Sequence, residues 1–155
     1  METDMTAAPS TFYRIEQVAA RTGLTKRTLR YYEEIGLLDP QTRSEGNYRL
    51  YSEADLARLE RICRLKSTLG LSLAETKELL ALEEKRGEIR AQFDQAPDAA
   101  TRLEQLNRAE AIARQQLTLI EVKLQALNEM RAETLAQLER YAHRRGELES
   151  EQSPG

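Results

Sequence analysis

Lys26, Arg27, Arg30, Arg43, Tyr48 and Arg49 lie near one another in the chain, and their side chains share one chemistry. Each presents N–H or O–H donors, with no nucleophile or general base set beside them. The arginine fork matches the oxygens of a phosphate or carboxylate. A tyrosine hydroxyl bonds the same oxygens while its ring packs. Such a cluster suits holding an anion rather than making or breaking bonds. No bond-making arrangement competes elsewhere. The sequence has no Ser-His-Asp set, no glycine-rich phosphate loop and no spaced metal ligands, and its single histidine, His143, stands alone. No enzyme activity, metal or cofactor is therefore expected.

These side chains need elements to aim them. Ile15, Val18 and Ala19 share one face of a short amphipathic helix. Gly23 can take the left-handed conformation that ends it, and Thr25 suits the N-cap of the next helix. In that second helix Leu29 and Tyr32 face inward, while Lys26, Arg27 and Arg30 lie opposite with Thr28 nearby. Basic residues in the first turns of a second helix are where a recognition helix touches bases and phosphates, and Thr25 belongs to the same DNA-facing set. Taken alone, such a face is equally consistent with plain solvation. The following segment shifts that balance. Asp39-Pro40 stops the helix after Leu37 and Leu38. Gly46-Asn47 then forms a turn between short extended runs bearing Arg43 on one side and Tyr48-Arg49-Leu50-Tyr51 on the other. Alternation puts Tyr48 and Leu50 on one face and Arg49 and Tyr51 on the other. A basic helix followed by a basic hairpin is the pattern of a winged helix-turn-helix, a reader of double-stranded DNA. Ordinary solvated arginines are the weaker alternative.

Residues 53–82 read as a second helix-turn-helix. Ser52 caps a helix with Glu53 and Asp55 in its first turn. Leu56, Leu59, Ile62, Leu65 and Leu69 form its buried stripe, and Gly70 ends it. Ser72 and Glu75 form a capping box for the next helix, whose inner face is Leu73, Thr76, Leu79 and Leu80. Lys66 adds a phosphate contact, while Arg58, Arg61 and Arg64 are chiefly solvated. Cys63 has two readings. It is a half-buried packing residue by default. If exposed, it is an electrophile or redox sensor whose thiol is acidified by Arg61, Arg64 and Lys66.

Further along, Pro97-Asp98 breaks the chain, and Thr101 with Glu104 offers another capping box. Heptad counting from there gives a positions Leu103, Glu110, Leu117, Leu124, Arg131 and Leu138. The d positions are Leu106, Ala113, Ile120, Leu127, Thr134 and Tyr141. This seam runs for about 58 Å at 1.5 Å per residue, as in a coiled coil. Packing back on the chain's own head domain is the competing arrangement. Glu110 and Arg131 lie nearly symmetrically about Ile120 and Glu121, so they would be register-setting polar positions if two such helices pair antiparallel.

Charge is distributed to match. The net charge is −3, yet residues 12–70 hold eleven Lys/Arg against eight Asp/Glu, whereas residues 71–155 hold twelve against sixteen. The basic half is the half carrying the anion-binding cluster, so binding to DNA should depend strongly on salt. No stretch approaches the ~20 apolar residues of a membrane span, and no signal peptide is evident. The single cysteine fits a reducing compartment. A cytoplasmic location with no membrane partner is expected.

The strings TLRYYEEIGLL and SEGNYRLYSEADLARL closely resemble the MerR family of bacterial transcription regulators, over residues 13 to about 82. The resemblance implies DNA contacts from Arg30, Lys26 and Arg27, and backbone contacts from Tyr31, Arg43, Tyr48 and Arg49. The wing departs slightly, reading Glu-Gly-Asn-Tyr where many relatives have Glu-Asn-Gly-Tyr. It also implies an antiparallel pair of long helices joining two heads, here through Leu103, Leu106, Ala113, Leu117, Ile120, Leu124, Leu127, Leu138 and Tyr141. A homodimer of that kind binds a palindromic operator and distorts the promoter spacer for RNA polymerase.

The expected fold is therefore all-α with a small β-hairpin wing, a winged helix-turn-helix head followed by a long dimerisation helix in an antiparallel coiled coil. The expected plan is a disordered N-terminus at 1–11, a DNA-binding domain at 12–82 and a linker or short helix at 83–100. A dimerisation helix at 101–145 and a disordered tail at 146–155 follow. A structural, nucleoid-type DNA-binding protein or coiled-coil adaptor is the alternative function. Thiolate metal sites and an iron–sulfur cluster are not expected, since Cys63 is the only cysteine. The sequence identifies no small effector, operator or target gene, and does not separate activation from repression.

Overall fold

The structure, a computed structural model, describes residues 11–153 and residue 155; most of the N-terminal segment expected to be disordered lies outside the described residues. Helix α1 (Ile15–Thr22) stops where Gly23 turns left-handed at φ +74°, its N–H donating to the Ala19 carbonyl. Thr25 then starts α2 (Lys26–Glu34), its hydroxyl accepting from the Thr28 N–H at 3.0 Å. This satisfies a donor that a helix start leaves without an intrahelical partner. Val18 from α1 and Leu29 and Tyr32 from α2 are buried together with Leu37 and Leu38 beyond the helix.

The wing is a two-stranded antiparallel hairpin, β1 (Thr42–Arg43) and β2 (Arg49–Leu50), with Thr42 opposite Leu50 and Arg43 opposite Arg49. In its turn Asn47, not Gly46, takes the left-handed conformation at φ +62°. The Asn47 N–H donates to the Ser44 carbonyl at 2.9 Å. At Gly46 the constraint is contact instead: a Cβ there would meet the Tyr48 ring at 3.0 Å, so the exposed ring would have to shift. Backbone bonds between Tyr13 and Tyr51, at 2.8 and 2.9 Å, tie the hairpin to the segment entering α1.

Ser52 and Asp55 make a capping box at the start of α3 (Glu53–Cys63), which buries Leu56, Leu59 and Ile62. The helix continues as a π-helical turn over Arg64–Thr68. That turn corrects the expected stripe. Leu65 stays buried, but Leu69 is 51% exposed. The wider winding rotates everything after it out of the α-helical phase. Ser72 and Glu75 then form their box, the Ser72 N–H donating to Glu75 Oε2 at 2.7 Å and the Glu75 N–H to Ser72 Oγ at 3.1 Å.

The next helix, α4 (Leu73–Asp94), runs without a break through the segment expected to open a linker at 83. Apart from Gly87 its residues after 82 are mostly good helix formers, and no proline intervenes before Pro97. Helix α5 (Ala99–Gln152) is 54 residues long, about 81 Å. Asp98 rather than Thr101 caps it, its carboxylate accepting from the Thr101 N–H at 2.7 Å. The helix also continues past residue 145 into the expected tail. Past Gly146, Glu147 pairs back with His143 and Arg144, at 3.3 and 3.1 Å.

By its contacts the chain divides into two units, Met1–Glu78 and Leu79–Gly155. Within the second, Arg86 of α4 donates to Gln116 Oε1 of α5 at 2.9 Å, and Gln116 is only 7% exposed. The a and d side chains lie on the uncovered part of α5: Leu103, Leu106, Leu117, Ile120, Leu124, Leu127, Leu138 and Tyr141 are each at least half exposed. Ala113 is exposed as well, whereas Ala109, Ile112 and Leu119 on another face are partly covered. No helix among the described residues is long and apolar enough to cross a membrane.

Candidate nucleic-acid interface

Of the sequence-predicted cations, Arg27, Arg43 and Arg49 line one or other of two hollows that share Arg30, while Lys26 and Lys66 line neither. An open cleft of about 310 Å³ is lined by Arg14, Arg30, Arg43, Tyr48 and Arg49, with Glu16 and Tyr51 also on its wall. A second hollow beside it is lined by Arg27, Thr28, Arg30, Tyr31 and Glu34. Arg30 therefore stands on the ridge between the hairpin side and the helix side. Tyr31 is 48% exposed and Tyr48 69% exposed, so both rings reach solvent. Arginines from the segment before α1, from α2 and from both strands line one cleft. The helix carries the groove-sized element and the hairpin flanks it, as a winged helix-turn-helix requires.

Not every expected contact is equally available. Thr25 is exposed, but its hydroxyl is engaged in the helix cap and sits 2.8 Å from the Thr28 hydroxyl. Lys26 pairs with Glu16 at 3.0 Å, and since both side chains are about half exposed the pair is weak and easily exchanged. The Lys26 ammonium, after a backbone hydrogen bond, helps hold the Glu16 carboxyl below its ordinary range. Arg43 donates to the Asn47 carbonyl at 3.2 Å across the wing turn.

Arg49 and Lys66 turn to internal partners. Arg49 forms an ion pair with Glu33, whose side chain is 6% exposed. Lys66 donates to the Tyr32 hydroxyl at 3.3 Å and lies over its ring at 5.6 Å, and it lines neither hollow. Just after the second strand Tyr51 turns inward, while Arg49 stays exposed on the cleft wall and reaches Glu33 from there. Tyr51 is fully buried and donates to Glu33 Oε1 at 2.5 Å. Burial pushes the Tyr51 phenol up from its ordinary value, partly offset by Arg49 and Arg30 nearby.

Sequence reasoning missed Arg14 and Glu33. Arg14 immediately precedes α1, and its signal was a basic residue beside Tyr13, whose partner strand cannot be inferred from local spacing. Glu33 read as an ordinary helix-surface acid. Cys63 is partly buried, and burial raises its thiol pKa more than Lys66 lowers it. The acidified-thiol reading therefore lacks the environment it needs. His143 is exposed and pairs with Glu147 along α5. Among the described residues no group of three or more His, Cys, Asp or Glu gathers as a metal site.

Many known proteins are similar to this chain. The profile of MerR HTH family regulatory proteins matches residues 13–83. The chain is 39% identical over 111 residues to the HTH-type transcriptional regulator YfmP of Bacillus subtilis, covering 72% of this chain and 79% of that protein. It is 33% identical over 129 residues to heavy metal-dependent transcription regulator 2 of Rhizobium meliloti, covering 83% and 76%. Among solved structures, a MerR family transcriptional regulator from Bacillus cereus superposes with a TM-score of 0.50 at 30% identity, covering 84% of this chain and 79% of that one.

Proposed function

The chain belongs to the MerR family of HTH regulatory proteins, and from that footing we propose that it works as a homodimer on a palindromic promoter operator. It is a DNA-binding transcription regulator rather than a general DNA-coating protein or an adaptor. The observation that carries the proposal is the convergence of Arg14, Arg30, Arg43 and Tyr48 on one cleft beside an exposed recognition helix. Lys26, Arg27, Arg30 and Tyr31 meet the groove and its phosphates, Arg43 and Tyr48 the flanking backbone, and Thr25 fixes the helix start that aims them.

The dimer is supported by the open seam of α5. Eight apolar seam side chains are at least half exposed in the single chain. Burying the exposed half of each returns roughly 1 kcal/mol per side chain. Summed over two subunits, this exceeds or matches the ~4–15 kcal/mol that association costs. Two heads held this way bind one duplex. Bending and untwisting the spacer between promoter elements costs several kcal/mol by smooth elastic estimates, roughly 1–6, and is offset by phosphate contacts from both heads. RNA polymerase at the promoter is then the downstream partner, and the cytoplasm the place of action.

Selection of bound duplexes from a random pool by the full-length protein tests the reading. An inverted repeat with fixed half-site spacing is expected. Enrichment of no sequence would return the protein to the structural class.

A further inference from the structure

We infer that Glu33 is a positioning residue that clamps the wing to the recognition helix through Arg49 and Tyr51, leaving phosphate contact at the wing to Arg43 and Tyr48. The inference rests on the DNA-binding reading of the cleft. Three observations carry it. First, the Glu33 carboxylate is almost wholly withdrawn from solvent, with a side chain 6% exposed, yet it belongs to the helix that bears Lys26, Arg27 and Arg30. Second, its two oxygens hold two residues of the same strand: Oε2 pairs with the Arg49 guanidinium and Oε1 accepts from the Tyr51 hydroxyl. Third, Arg49 sits directly across the hairpin from Arg43. Like charges in that relation repel and would splay the strands. A carboxylate beneath one of them removes the repulsion, and fixes the hairpin's angle to the helix. Arg49 lines the same cleft and is partly exposed, but its charge is balanced by Glu33, so its contribution is alignment.

The test compares wild type, Glu33→Gln and the double variant Glu33→Gln/Arg49→Gln as full chains. Each is titrated with a labelled random-sequence duplex and with the duplex selected from a random pool, over a series of KCl concentrations. Thermal unfolding is followed alongside. Glutamine keeps the shape and an acceptor for Tyr51 but frees Arg49. Glu33→Gln should therefore steepen the log–log salt dependence by about 0.9 for each freed arginine, and lower the preference for the selected duplex several-fold. The double variant should return to the wild-type slope while the preference stays lost.

If Arg49 already contacts phosphate and Glu33 is a bystander, Glu33→Gln will keep the wild-type slope and the double variant will fall below it. That result overturns the clamp. So does a Glu33→Gln protein that unfolds earlier and binds both duplexes more weakly by one common factor at unchanged slope. Should Glu33→Gln not fold, Tyr51→Phe decides instead: lost preference at unchanged slope supports the clamp, and unchanged preference refutes it. A wild type that binds neither duplex fells the DNA reading itself, whereas a binding wild type with unmoved variants fells only the clamp.

Discussion

In the proposed interface Arg30 is the central side chain, because it lines both the hairpin-side cleft and the helix-side hollow. Losing it removes a donor fork from the centre of the site without opening the core, since the residue is exposed. Arg30→Ala should lower affinity for the selected duplex by about 1–3 kcal/mol while thermal unfolding stays close to wild type. A titration that shows undiminished binding would move the contact surface elsewhere. Cys63 makes the opposite point about what a residue type can promise. Its sequence neighbours are cationic, yet in the fold burial outweighs Lys66 and holds the thiol above its ordinary value. At neutral pH Cys63 should react with iodoacetamide several-fold more slowly than a free peptide thiol, gaining speed only as the solution becomes alkaline. Fast alkylation with a plateau at neutral pH would revive thiolate sensing.

At the level of elements, local chemistry wrote most of the boundaries. Gly23, Thr25, Ser52 and the Ser72–Glu75 pair each act on backbone groups a few residues away, so their roles were legible in the sequence. Three features were not. Leu69 was lost because a π turn cannot be counted from α-helical spacing. The start of α5 was misplaced because Thr101 and Asp98 are both good caps, and only the fold shows which one the chain uses. Glu33 was unreadable as a clamp because its partners lie far along the chain, on the other side of the hairpin turn. The α5 cap has a pH signature. Hydrogen bonds from the Thr101 backbone N–H and then its side chain hold the Asp98 carboxyl below the ordinary aspartate range. A carboxyl with a lowered folded pKa adds stability above its unfolded value and loses it as pH falls through the folded one. Amide protection over the first turn of α5, corrected for intrinsic exchange, should therefore drop on acidification past that range. Asp98→Asn, which keeps a capping oxygen, should lack the drop; an identical acid response in both proteins would contradict the assignment.

For the molecule as a whole, the proposed function needs the basic head and the apolar seam together. The head holds focused cations in a chain of net charge −3, so one copy has few phosphate contacts to spend. Pairing through the seam, as proposed, would double them. Its polar members fit that role loosely: Glu110 already pairs with Arg114 on its own helix at 2.5 Å, both exposed, so Arg131 is the seam charge with more freedom to set register. Reversing the charge at Arg131 should weaken self-association measurably. The most direct measurement is sedimentation of the full chain, free and with the selected duplex, beside a Leu117→Glu/Leu124→Glu variant. Wild type should sediment at twice the 17.7 kDa chain mass and bind as one dimer per duplex, and the variant should be a folded monomer with greatly weakened binding. A wild-type monomer that still captures the duplex at full strength would contradict the account.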